Sequence, residues 1–163
     1  MRNELIVFFT TLVVLFIQIT VLPATFLKSF GLMLPIIYLI ALTANFPLRT
    51  IFINAFIIGV VQDNFSGGLY GFHTIVLIVL IYVTVRAREN MHSEDAYVPA
   101  LFTGAFLLAY EIIFVVWSML LKYSVANWPH FLLAAFTGII SSIIVAYPVN
   151  ELCDKLYRSL TAE

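Results

Sequence analysis

Gly59-Val60-Val61-Gln62-Asp63-Asn64-Phe65-Ser66-Gly67-Gly68-Leu69-Tyr70-Gly71 is the one stretch of this chain in which glycines and a carboxylate fall on a regular beat. Gly59, Asp63, Gly67 and Gly71 follow one another at intervals of four. Residues four apart share a face of a helix, so the beat writes a smooth stripe with a single acid in it. The glycines either let another backbone approach closely or turn the chain between two helices. The runs on both sides are apolar, and an acid beside them is a functional candidate by default.

Composition fixes the class. The 163 residues are 63% hydrophobic and 10% charged, with a net charge of −1. A soluble domain of this size cannot cover that much apolar surface, so the chain reads as an all-α, polytopic membrane helical bundle forming a single domain over residues 1–163. The charge balance and the lack of a basic stripe exclude nucleic acid as a partner. One cysteine, Cys153, excludes an internal disulfide and reads as a plain small side chain.

A membrane span needs roughly 20 apolar residues. Six candidates follow, at about 5–22, 32–46, 50–62, 72–85, 98–121 and 131–149. The first run resembles a signal peptide but lacks a small-residue cleavage site and is expected to be a retained span. The third is short. An exposed helical tail, 150–163, closes the chain. With the N-terminus inside, Arg2, Arg49, Arg86, Arg88, Lys155 and Arg158 lie on the cytoplasmic side and only Lys28 and Lys122 outside. The bias of basic residues toward the cytoplasm therefore puts both termini there. Asp63 and the loop of Trp128 then face outward.

Four polar residues fall at similar depth in the outer half: Gln18, Asp63, His73 and Glu111. An acid near mid-bilayer costs on the order of 3 kcal/mol, so two at related depth point to one polar cavity or interface. Each has a plainer reading. Asp63 is either a capping residue in water or a buried acid gripping a partner or an internal helix. Glu111 either bonds Gln18, a tyrosine or His73 to fix packing, or serves a partner. His73 reads as a satisfied polar residue. A metal site of Asp63, His73 and Glu111 is conceivable but lacks defined ligand spacing, and neither a metal nor a cofactor is expected. No phosphate loop, H-E-x-x-H or G-x-S-x-G is present, so an enzyme is not expected. On the sixth span Ala134, Thr137, Gly138 and Ser141 place small residues at helical spacing, a sign of close helix packing.

Together the Gly59-x-x-x-Asp63-x-x-x-Gly67-x-x-x-Gly71 beat, the basic stretch Arg86–Arg88, Glu111-Ile112-Ile113 in the fifth span and the basic tail Lys155–Arg158 resemble the bacterial rod shape-determining MreD family. The chain departs from the family in its last span, where Thr137 stands nearest to the asparagine that members often carry. The resemblance implies a non-enzymatic subunit of the cell elongation machinery in the inner membrane. It would sit beside the bitopic protein MreC and join MreB-like filaments, indirectly, to a RodA-type peptidoglycan glycosyltransferase and its penicillin-binding transpeptidase. It also implies a six-helix layout similar to the membrane substrate-binding subunits of energy-coupling-factor transporters. Carried onto this chain, Gly59, Asp63, Gly67, Gly71, His73 and Glu111 would form a site for a partner helix, a membrane lipid or another outer-leaflet ligand. The alternative is a vitamin-like small-molecule binder, and a third class is a proton-coupled transporter or intramembrane enzyme.

Overall fold

A computed structural model describes residues 2–21, 33–65, 71–89, 98–120 and 128–161, and these are almost wholly helical. The helices are α1 (Arg2–Phe16), which widens into π turns over Ile17–Val21, α2 (Leu34–Leu42), α3 (Leu48–Phe65), α4 (Phe72–Glu89), α5 (Val98–Leu120) and α6 (Trp128–Thr161). Three of them carry segments long and apolar enough to cross a membrane: Glu4–Val21, Ala100–Leu120 and Phe131–Ser159. The others differ for visible reasons. α2 has nine residues, about 14 Å of helix against a hydrocarbon core of about 30 Å. α3 and α4 are interrupted by Arg49 and Asp63, and by Arg86 and Arg88.

The short helix is the hub. Pro35 to Leu42 are all buried, and α2 touches α1, α3, α4, α5 and α6. Its sequence, Leu-Pro-Ile-Ile-Tyr-Leu-Ile-Ala-Leu, has no polar face, and a helix that is apolar all round belongs inside. Around it α1 packs on α3, α3 on α4, α4 on α5 and α5 on α6. The outward faces are apolar as well. Phe9, Phe16, Phe56, Ile75, Ile112, Leu133, Phe136 and Ile144 are all exposed, the pattern of a bundle whose solvent is lipid.

Several polar groups inside the bundle are paired across helices. Thr11 Oγ1 donates to Asn54 Oδ1 at 2.6 Å, Asn54 Nδ2 donates to Thr50 O at 2.7 Å, and the Thr10 and Tyr38 hydroxyls lie 2.6 Å apart. These bonds tie α1, α2 and α3 through groups that hydrocarbon cannot satisfy.

The structure revises several boundaries. The second span, expected at 32–46, is a helix only over Leu34–Leu42, because Thr43 to Phe46 form turns leading to Pro47. The third is not short: α3 runs three residues past Gln62 and includes Asp63. Trp128 and Pro129 open α6 rather than lying in a loop, since a proline fits a first helical turn. The tail is not a separate exposed element either. α6 continues through Pro148 to Thr161, 34 residues and about 51 Å, and it buries Cys153 on the way.

Candidate functional site

The glycine–aspartate beat does not run along one helix face. Gly59 and Asp63 lie on α3, which ends at Phe65, and Gly71 precedes α4. Gly67 lies outside the described residues. The two described glycines have different jobs. Gly71 sits at φ +84°, a left-handed conformation in which a side chain costs about 1–2 kcal/mol, and it starts α4. Gly59 is where α3 and α4 meet backbone to backbone. A Cβ there would lie 2.9 Å from both the amide nitrogen and Oγ1 of Thr74, and closer still to its Cα. Gly71→Ala is therefore expected to lower stability by about 1–2 kcal/mol through strain alone, read as a modest fall in unfolding temperature with the oligomeric state kept.

That close approach positions the aspartate. Asp63 is 5% exposed, and its carboxylate faces the first turn of α4. Oδ1 accepts the His73 backbone N–H at 2.9 Å, and Oδ2 accepts the Thr74 N–H at 3.2 Å and the Thr74 hydroxyl at 2.5 Å. The first N–H groups of a helix have no partner within it and carry its positive end, so an acid delivered from the neighbouring helix satisfies both needs. Asp63 thus grips an internal helix.

His73 turns the other way. Its Nδ1 is hydrogen-bonded to Tyr110 Oη, and the two rings lie nearly parallel with centroids 5.9 Å apart. Phe72 packs edge-on against Phe114 and is tilted on Trp117, with centroids 5.8 Å apart in both pairs. The aromatic cluster locks the start of α4 to α5. Phe114 stacks in turn on Phe131 at 5.7 Å, reaching α6.

Gln18, expected to share a polar site with these residues, lines one cavity with His73 and also caps α2. Its Oε1 accepts the Leu34 N–H at 3.1 Å. Above that capped end a cavity of about 390 Å³ opens between α1, α3, α4 and α5, lined by Leu15, Gln18, Ile19, Met33, Val61, Gln62, Phe65, His73 and Tyr110. Two polar lining residues, Gln62 and Tyr110, fall outside the set expected from sequence. Tyr110 looks like one more aromatic in an apolar helix, and Gln62 stands in the shadow of Asp63.

Glu111 occupies a different place. It lines a crevice of about 190 Å³ between α5 and α6 with Met33, Leu107, Phe131, Ala134, Ala135, Gly138 and Ile139. None of these side chains is a hydrogen-bond donor. The small-residue row of α6 is what makes room: Ala134, Ala135 and Gly138 leave a trough beside the carboxylate. The four polar residues expected at one depth are therefore distributed over an internal latch (Asp63), a cavity (Gln18 and His73) and a crevice (Glu111). Among the described residues no three His, Cys, Asp or Glu side chains converge as a metal site.

At the opposite end of the bundle sits a polar cluster that the sequence reading passes over. Arg88 Nη1 donates to Thr43 Oγ1 at 2.9 Å and to Ile40 O at 3.3 Å, closing the C-terminal end of α2. Asn45 Nδ2 donates to Asp154 of α6, and Phe46 packs edge-on against Tyr157 at 5.4 Å. Cations favour helix C-termini, and arginine alone reaches two acceptors from the next helix. Arg88→Ala is expected to cost about 2 kcal/mol and to loosen the end of α6, read by protease cleavage after Arg158.

The sequence matches the family model for the rod shape-determining protein MreD over residues 2–158. The chain belongs to the MreD family. No curated protein and no solved structure matches it. MreD proteins form a shape-determining structural family rather than an enzyme family. This MreD chain is thus a rod-shape-related membrane protein, in keeping with its three long apolar helices.

Proposed function

We propose that this MreD protein is a non-enzymatic scaffold of the cell elongation complex, which receives a partner's transmembrane helix in the crevice beside Glu111. In this reading the chain is one domain of six membrane-crossing helices in the inner membrane, with both termini cytoplasmic and the Asp63 end outward. Its layout then parallels the six-helix substrate-binding subunits of energy-coupling-factor transporters. The partner is a bitopic MreC-like protein. Through it the scaffold is coupled to peptidoglycan synthesis by a RodA-type glycosyltransferase and its transpeptidase, and indirectly to MreB-like filaments.

The observation that carries the proposal is the unprovided carboxylate. Glu111 lies in a crevice between α5 and α6 whose other lining residues are apolar. Carboxylates inside a membrane face a partner or a cavity, and helices dock in membranes where small residues let backbones close in and a polar group supplies a hydrogen bond. An incoming helix bearing a serine, threonine, asparagine or basic side chain supplies the donor, and Ala134, Ala135 and Gly138 supply the trough. Asp63, His73, Gly59 and Gly71 support this site from behind by fixing α4 against α3 and α5.

The test is co-purification of the MreC-like partner from membranes with the full-length chain. Glu111→Gln keeps shape and loses charge, and Gly138→Leu fills the trough. Each is expected to lower recovered partner at least tenfold while leaving the unfolding temperature of the MreD chain within a few degrees. Undiminished capture by both variants would refute the proposal.

A further inference from the structure

The Glu111 crevice has the dimensions of a socket for one side chain. Its volume of about 190 Å³ lies below the roughly 300–1,000 Å³ of small-molecule sites. Leu107 and Gly138 are buried at its floor, and Ala134 is exposed at its lip. Next to Glu111 on α5, Leu108 and Ile112 are exposed, so the crevice is reached from the lateral surface of the bundle.

Hydrogen-bond donors are kept away from this carboxylate. Two hydroxyls stand on α6 beside the trough, and both turn back onto their own helix. Thr137 Oγ1 donates to Leu133 O and Ala134 O at 2.9 and 3.0 Å, and Ser141 Oγ donates to Gly138 O at 3.0 Å. The adjacent hydroxyl on α5, that of Tyr110, bonds His73. Among the described residues no side chain donates to Glu111. A hydroxyl brought by a partner would fill one of the about four acceptor sites of a carboxylate and leave its charge in place. An ammonium or guanidinium brings several donors and cancels the charge, and charged groups inside a bilayer pair with one another.

We propose that the crevice receives a single lysine or arginine from the partner's transmembrane helix, its apolar stem along Leu107, Phe131 and Ile139 and its cationic head on Glu111. The inference rests on the docking reading above and narrows its donor to a cation.

The test uses the full-length chain in native membranes, with a photoreactive amino acid at Ala134 and the adduct on the captured helix mapped by mass spectrometry. A lysine or arginine is expected within one helical turn of the adduct. Replacing that basic residue by methionine or by serine, in the partner alone, is expected to lower capture at least tenfold. Replacing it by glutamate is expected to abolish capture, and Glu111→Lys in this chain, its fold checked by unfolding temperature, to restore capture to within threefold. Undiminished capture of the methionine or serine variant would overturn the proposal, as would a folded Glu111→Lys chain that restores nothing. A captured helix with no basic residue within one turn of the adduct would overturn the pairing and leave the docking reading standing. Absence of any captured helix at position 134 would overturn both.

Discussion

Gly59→Leu is expected to prevent stable folding of the bundle. The new side chain would start inside the backbone of Thr74, with Thr74 N and Oγ1 only 2.9 Å from its Cβ. No rotamer relieves a clash with backbone, so α3 and α4 must separate. Overpacking of a tight interface costs about 1–3 kcal/mol. Here the separation also draws the Asp63 carboxylate away from the N–H groups it serves, adding about 1–3 kcal/mol for each buried polar group left unpaired. The sum is comparable with the stability of a small protein. The measurement is the yield of monodisperse protein after mild detergent extraction and its unfolding temperature. The same change at Ala44, an exposed turn residue, is the control and is expected to have little effect. Equal effects at the two positions would remove the argument for close approach.

Asp63→Ala comes next in size. Three hydrogen bonds disappear together, two of them to backbone N–H groups at the buried start of α4. Losing a helix cap alone costs about 0.5–2 kcal/mol, and the burial of the orphaned donors raises this to about 3 kcal/mol. Asp63→Asn retains one acceptor oxygen but turns an amide toward the Thr74 N–H, so an intermediate loss is expected. Unfolding in a denaturant series should rank the proteins as unaltered, Asn, then Ala. Asp63→Ala is expected to weaken partner capture only to the extent that it weakens the fold, whereas Glu111→Gln is expected to weaken capture with the fold intact. If Asp63→Ala keeps full stability and loses the partner, the acid serves the partner directly and the internal latch is wrong.

These contrasts show what the residues disclose by themselves. Composition and apolar run length disclose an all-helical membrane bundle, because no other solvent accepts so much apolar surface. The Gly59–Gly71 beat discloses that something special happens there, but spacing alone does not say where a helix stops. The stripe is broken by the end of α3 at Phe65, and only the fold shows that Gly59 admits a neighbouring helix while Gly71 turns the chain. Position along a helix is legible from sequence and direction is not. Gln18, Asp63, His73 and Glu111 look equivalent along the membrane normal, yet helix rotation sends Asp63 to α4, Gln18 to α2, His73 to Tyr110 and Glu111 to α6. The central role of α2 was readable in principle, since Leu34–Leu42 has no polar face, but its shortness hides behind the apolar residues flanking it. The cluster of Asn45, Arg88 and Asp154 joins positions more than forty residues apart, and no local pattern marks it.

Photo-cross-linking in intact membranes tests the docking crevice most directly. A photoreactive amino acid is placed at Ala134, which lines the crevice, and in a second protein at Ile53, on the exposed face of α3. The expected result is a cross-link from position 134 to a single-span, MreC-like partner, lost when Glu111→Gln is added, with no such product from position 53. Cross-linking of that partner from position 53 but not from 134 would contradict the placement of the partner helix beside Glu111.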